Sequence, residues 1–423
     1  MEENINCEEI QSQEDYVEVS EELDSNTEIF KNKKFQKKAI LILAFIIAIT
    51  VSSMATLWVY KYFSSPTSKK LDQINALVRK YYAGEIDDTV LDDALATAYM
   101  KALDDKYSFY KNAEDGDLVE QSLKGNAYGI GITVYNDNNS KSLTVMRIDE
   151  DSPAHKAGLK IGDKIIAIDD KTIEETGYEE GIESIKRELG EKAKITVLRG
   201  EETLDFNVTY EDFVRQSVYY EIVDDYGYVT ITAFNKSSVS QFKKAYKYLT
   251  EQKVKGLIFD VRENGGGTVD SVCEILDILV GECDLITIVY ADGSKNVAEN
   301  AKSNPDKCSL PMVVLTNENT ASAAELFAAN LRDMAKAPLI GNNTYGKGVV
   351  QRTYFLEDGS CIRFTVGEFL PAGGKGFNKK GLAPDFEVNY TEFESANRYT
   401  LGKEEPYLKK ALEQLNTLTS EEK

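Results

Sequence analysis

The hydrophobic pattern changes period several times along the chain, and each change predicts a different kind of element. Ala39 to Tyr60 is an uncharged, largely apolar run. At roughly 1.5 Å per residue, a helix over it spans about 30 Å, the thickness of a bilayer core. Trp58 and Tyr60 stand at its far end, where interfacial aromatics belong. Residues 64–75 carry Ser-Ser-Pro-Thr and paired lysines and read as a linker, placed at 61–69. Next, Leu71, Ile74, Leu77, Val78 and Tyr81 recur at helical spacing, and Leu91, Ala94, Ala98, Tyr99 and Leu103 repeat it. A helical segment is therefore expected over 70–123, with 104–110 closing its second helix.

From residue 124 the period shortens. Strands are expected at 128–132, 143–148 and 193–198, with a short helix ending at Gly158, a Gly162-Asp163 turn and an amphipathic helix over 182–189. From 211 to 392, strands at 228–231, 256–262, 312–316 and 339–341 alternate with helices at 239–249, 269–280 and 321–335. Such alternation predicts an α/β core with crossover helices. A charged helix over 405–418 lies in the last segment, 393–423.

Length and charge narrow the picture. The 423 residues suffice for two or three domains. A formal net charge of −22 argues against nucleic acid as a partner, because phosphates would be repelled. Half of that excess lies in residues 1–30, which hold eleven acids and no Lys or Arg. A run this polar buries no core and is expected to be a disordered tail, 1–38 with its basic end. Lys31, Lys33, Lys34, Lys37 and Lys38 then precede the apolar run. They place the N-terminus in the cytoplasm and residues 64–423 outside a cell membrane crossed once, at 39–60. A cleaved signal peptide is the alternative. It fits less well, because the run and the tail before it are too long and no small-x-small site follows closely. The five cysteines make no disulfide scaffold, and their spacing matches no metal motif. Scattered thiols fit Cys273, Cys283, Cys308 and Cys361 better than cystines. No metal and no cofactor are expected.

The candidate chemistry starts from a scarcity. His155 is the single histidine, and it lies far along the chain from any plausible nucleophile. A serine hydrolase built on this chain needs another base. Ser322 follows an apolar strand and heads a small-residue helix, whose free N–H groups can stabilise an oxyanion. Ala323 N–H is one candidate donor. Gly266 and Gly267, in the Gly265-Gly266-Gly267 run, supply the other, since glycine lets the backbone approach closely. Taken alone, Ser322 fits an N-cap serine better than a nucleophile, and the glycines fit a strand-to-helix turn. Lys347 sits in a Gly-flanked turn, with Gln351 four positions on. A lysine acts as base only when neutral, so its pKa must fall from near 10.4 toward about 7–8, which an apolar seat near Val349 and Val350 would favour. Gln351 could hold that amine. A surface lysine in a glycine turn is the plainer reading.

Two resemblances bear on this choice. The run from Ser152-Pro153-Ala154 through Ala157-Gly158-Leu159 to Gly162-Asp163, with Gly129-Ile130-Gly131-Ile132 before it, resembles a PDZ domain over 124–210. That resemblance implies that Gly129, Ile130, Gly131 and Ile132 take a peptide C-terminal carboxylate. The stretch from Ala321 to Gln351 resembles the C-terminal processing peptidases, or tail-specific proteases, in which a serine precedes a lysine by 25 positions, as Ser322 precedes Lys347. The run from Phe259 to Gly267, Gly381-Leu382-Ala383-Pro384-Asp385 and the Asp105-to-Tyr110 segment resemble further family motifs in the family's order. The likeness covers about 68–392. It implies a crotonase/ClpP-like protease core at 211–392 with an inserted PDZ domain. It also implies a Ser322-Lys347-Gln351 triad, protein or peptide substrates with apolar C-termini, and a homodimer. Lys106 departs from it, standing where the family has proline. Lys186 and Arg187 lie on the expected PDZ helix, where some relatives sense substrate with an arginine. The competing function is a non-catalytic PDZ adaptor on a dead core.

Overall fold

A computed structural model describes residues 33–63, 65–137, 141–297, 308–391 and 402–421. The acidic run 1–30, Lys31 and the start of the 393–423 segment lie outside the described residues. The chain forms two units, 1–88 and 89–423.

In the first unit, α1 (Lys33–Phe63) contains a 23-residue stretch, Gln36–Trp58, of mean hydropathy 2.5. Its side chains there are exposed. The expected linker is overturned, because α2 (Pro66–Tyr81) starts inside it. Ser65 Oγ accepts the Ser68 N–H at 3.1 Å, and Pro66 occupies the first turn, where its missing N–H costs nothing. No residue of α2 is buried.

The second unit runs through α3 (Asp88–Lys101), β1 (Phe109–Lys111) and α4 (Ala113–Lys124) into β2 (Asn126–Gly129), β3 (Ile132–Asp137) and β4 (Ser142–Ile148). Then come α5 (Pro153–Ala157), β5 (Lys164–Ile168), β6 (Lys171–Thr172), α6 (Ile173–Ile185), β7 (Lys192–Arg199), β8 (Glu202–Thr209) and β9 (Glu211–Val214). Strands β3-β4-β5-β7-β8 form one antiparallel sheet, with β6 beside β5, and β2 pairs with β9. Its own core includes Leu143, Val145, Ile165, Ile195 and Val197. Gly131 has φ 73, and a Cβ there would lie 2.3 Å from Ser152 Cβ, so only glycine fits. The helix expected at 182–189 is shifted toward the N-terminus. Thr172 and Glu175 cap its start, and it ends at Lys186, which is already extended. Lys186 and Arg187 therefore lie beyond the helix, a correction to their expected place.

The core follows as β10 (Val218–Val223), β11 (Tyr226–Ile231), α7 (Lys236–Glu251), β12 (Leu257–Asp260), α8 (Val269–Leu279), β13 (Ile286–Tyr290), β14 (Lys295–Val297), β15 (Met312–Thr316), α9 (Ala323–Ala335), β16 (Leu339–Gly341), β17 (Val349–Phe355), β18 (Cys361–Pro371), β19 (Phe386–Glu387) and α10 (Pro406–Glu421). One sheet has the order β10-β11-β12-β15-β16-β19, parallel except for the β10/β11 hairpin. Alternate residues face opposite layers. Leu257, Phe259, Met312 and Val314 join α7, α8 and α9, while Ile258, Val313 and Leu315 join Tyr407, Ala411 and Leu415 of α10. Burial on both faces explains why β12 and β15 are apolar up to their last residues, Asp260 and Thr316. A second, antiparallel sheet joins β1, β17, β13 and β14 around β18. Thus residues 109–111, expected to lie in a helical segment, are drawn into the core by β18. Cys273, Cys283, Cys308 and Cys361 are free thiols.

Candidate active site

Three loops meet at Ser322. The first follows β12 and carries Gly265, Gly266 and Gly267. The second leads from β15 into α9, and the third leads from β16 into β17. Buried Asn264 clamps the first to the second, its carbonyl accepting the Ala321 N–H at 2.9 Å. Its Nδ2 donates to Ile231 O at 2.8 Å, and its Oδ1 accepts the Gly266 N–H at 2.8 Å. The Tyr345 N–H donates to Thr320 O at 3.0 Å and clamps the third loop to the second.

Ser322 is the N-cap of α9, half-buried, with φ 58 and ψ −118. A non-glycine residue in that region is strained and must be held by its surroundings. Glu325, one turn along and fully buried, does much of the holding. Its carboxylate accepts the N–H of Ser322 at 2.9 Å, of Gly346 at 2.7 Å and of Lys347 at 2.8 Å, and the Thr344 hydroxyl at 2.5 Å. Burial pushes its pKa up against those four donors, which favour the anion. One carboxylate thereby fixes the backbone of Ser322 against that of Lys347.

The oxyanion candidates separate. A Cβ on Gly266 would lie 2.9 Å from both Ala323 N and Ser322 Cβ, so this glycine supplies clearance. Its N–H is already committed to Asn264. Among the described residues, the N–H groups of Ala323 and Gly267 have no hydrogen-bond partner.

Lys347 is half-buried, and its Nζ lies 4.5 Å from the Tyr107 ring centroid. Burial lowers its pKa, with Arg363 adding to the effect. Lys347 Nζ makes no hydrogen bond to Ser322 Oγ or to Gln351 among the described residues. Gln351 Nε2 instead donates to Val349 O at 3.1 Å. His155 lies on α5, where its Nδ1 accepts the Asp151 N–H at 3.2 Å.

Gly129, Ile130, Gly131 and Ile132 line a groove of about 590 Å³. Ile185, Tyr210, Arg147 and Arg215 form other parts of it, and Thr232 and Ala233 enter from the core. The adjoining Phe234 bonds to the glycine loop, through Phe234 N–H to Gly266 O at 2.9 Å and Thr268 N–H to Phe234 O at 2.7 Å. A second cavity of about 490 Å³, lined in part by Met312, Met334 and Leu418, holds none of the candidate side chains.

Sequence reading missed Glu325, Asn264 and Tyr107. For Glu325 a signal was present, since Ser-x-x-Glu at the head of an apolar helix is the capping-box spacing. Asn264 and Tyr107 stand inside the 259–267 and 105–110 runs, which marks their segments but assigns neither a role.

The family models and the curated relatives that match this chain make it a serine-type C-terminal processing protease with a PDZ domain. The family model for peptidase family S41 matches residues 225–388, and that for the PDZ domain matches 129–210. The carboxy-terminal processing protease CtpA of Bacillus subtilis is 31% identical over 336 residues, which are 78% of this chain and 71% of that protein. A CtpA-like serine protease of Staphylococcus haemolyticus is 25% identical over 92% of this chain and 82% of its own. The crystal structure of an S41 protease from Bacteroides fragilis shares the fold, with a TM-score of 0.56 at 19% identity, over 82% of this chain and 97% of its own. The chain belongs to peptidase family S41.

Proposed function

We propose that this chain is a membrane-anchored endopeptidase that cleaves with Ser322 as nucleophile, Lys347 as general base and Gln351 as the group that orients Lys347. The observation that carries the reading is the Glu325 carboxylate, which bonds the N–H of Ser322 and that of Lys347 with a single oxygen, Oε2. Ser322 Oγ attacks the substrate carbonyl, and its proton passes to the neutral Lys347 amine. The tetrahedral oxyanion is taken by the Ala323 and Gly267 N–H groups. Collapse expels the amine, which leaves with the proton from Lys347, and the acyl-enzyme is hydrolysed by water activated in the same way. Lys347 resting on Tyr107 is the state before substrate, and a side-chain rotation brings its amine to Ser322. Gln351 then leaves Val349 O to accept from that amine.

The substrate enters by its tail. The groove at Gly129, Ile130, Gly131 and Ile132 binds a free apolar C-terminus, and its wall at Thr232 and Ala233 continues through Phe234 to the glycine loop beside Ser322. Helix α1 fits a signal anchor or a single membrane span, with the basic cluster inside and the crotonase/ClpP-like core outside. Two copies pair as a homodimer in the family's manner. The central test is intact mass after reaction with a peptidyl phosphonate. One adduct is expected on the wild type and none on Ser322→Ala. An adduct that persists on the variant removes Ser322 as nucleophile. Equal cleavage of a peptide ending in a free apolar carboxylate and of its amidated twin removes the tail-binding role.

A further inference from the structure

One side of the candidate site gathers cations without acidic partners. Lys347 Nζ lies 4.5 Å from the Tyr107 ring centroid, and Lys106 Nζ lies 4.8 Å from the same centroid. Lys106 also donates to the Tyr345 hydroxyl at 2.9 Å. Two residues after Tyr107, the Phe109 ring carries the Arg363 guanidinium at 4.9 Å, and these two residues are cross-strand partners in β1 and β18. Arg363 Nε donates to Thr353 Oγ1 at 2.8 Å. Among the described residues none of the three cations forms an ion pair. The whole chain holds 71 acids against 49 Lys and Arg, so three unpaired cations together run against its composition.

Like charges in a partly buried cluster repel, and the strain is relieved when the group that can lose its proton does so. Arg363 cannot deprotonate, and exposed Lys106 is well hydrated. Lys347 is the member that yields. We propose that Arg363 and Lys106 are positioning residues of an electrostatic kind, a fixed positive field that favours the neutral amine of Lys347. The inference rests on Lys347 being the base.

The other groups facing Lys347 are Tyr107 and Asp105 on the turn before β1, Tyr345 on its own loop and Glu325 on α9. Asp105 opposes the field, but its carboxylate is turned to the Ser108 hydroxyl at 2.6 Å and the Tyr107 N–H at 3.1 Å. Glu325 is turned to backbone N–H groups. Burial is the main cause of the lowered Lys347 pKa and Arg363 is the next, Tyr345 and Asp105 oppose them, and Lys106 adds least.

The test is kcat/KM from about pH 5 to 10, a span that brackets the free and depressed lysine values. The full chain in detergent cleaves a peptide with a free apolar C-terminus. Wild type is compared with Arg363→Met, Lys106→Met and Arg363→Lys. In the two Met variants the acid limb should move to higher pH. Activity near neutrality should fall about three- to tenfold in Arg363→Met, a shift of roughly 0.5–1 pH unit, and by less in solvent-screened Lys106→Met, and should approach wild type at the alkaline end. Arg363→Lys should keep the wild-type limb. Thermal unfolding identifies any variant that fails to fold, and exposed Lys106→Met then carries the test. An unmoved limb with the same loss at every pH overturns the inference, as does a loss confined to substrates with acidic side chains. A wild-type profile with no acid limb overturns the assignment of Lys347 as base, so the two failures are distinguishable.

Discussion

Ser322 sits in a backbone state that costs a non-glycine residue on the order of 1–3 kcal/mol. Glu325 offsets that cost with its bond to the Ser322 N–H, while the same carboxylate seats Lys347. Glu325→Gln keeps the shape but turns an NH₂ toward backbone N–H groups. It should destabilise the fold by about 2–4 kcal/mol in urea unfolding and lower kcat/KM at least tenfold, roughly. Wild-type stability and turnover in that variant would remove Glu325 from this role. Gly266→Ala should destabilise the fold by about 1–3 kcal/mol and lower kcat about a hundredfold, because φ there is 104 and the new Cβ would press on Ala321 O at 2.8 Å and on Ser322 Cβ and Ala323 N at 2.9 Å. The lowered pKa of Lys347 fixes two signs. Its neutral form gains as pH rises, so kcat/KM should climb with pH and Lys347→Arg should be inactive at every pH. Folding, in turn, is weakened below the depressed value and relieved as pH rises toward 10.5, because the unfolded chain binds the extra proton over that interval. Lys347→Met should accordingly be inactive yet slightly more heat-stable, and a lower melting temperature in that variant would contradict the burial cost.

At the scale of elements, α10 is the piece whose partners are least evident locally. Its Ala411 and Leu415 cover the second face of the main sheet, and a charged network fastens its start. Arg262 donates to Asp260 Oδ2 at 2.7 Å and to Glu405 Oε1 at 2.8 Å, with Tyr390 and Tyr228 completing the set. Burial opposes ionisation of Asp260, but the Arg262 guanidinium prevails and holds its pKa below the usual range. Arg262→Leu would leave two carboxylates buried together without a cation. A loss of about 3–5 kcal/mol is expected, with α10 becoming the first site of proteolysis. Cleavage that begins elsewhere, at unchanged stability, would show that the network does not fasten the helix. The same scale shows why some boundaries moved. Local capping at Thr172 and Glu175 set the start of α6, while the pull of β18 made a strand of 109–111 inside a helical-looking stretch.

For the whole molecule, the reading of α1 as an anchor has a direct consequence. A chain lacking residues 1–63 should remain soluble without detergent and keep its kcat/KM on peptides, whereas the full chain should sediment with membranes. Full-length protein in the soluble fraction of lysed cells would refute the anchor.

Sequence by itself determined the elements whose cause is local. Long apolar runs at 257–260 and 312–316 gave buried strands, and the α1 run gave a bilayer-length helix. The glycines at 129 and 131, where φ is positive, marked a special turn. Ser322 at a helix start was legible because a cap, a strand end and small neighbours all lie within a few residues of it. Tertiary structure alone decided what meets across the chain. Lys347 rests over the Tyr107 ring, and Asn264 joins its own loop to that of Ser322 through Ala321. These are contacts between residues tens to hundreds of positions apart. No local period or propensity encodes them, because they are fixed only when the sheets set the register of their loops.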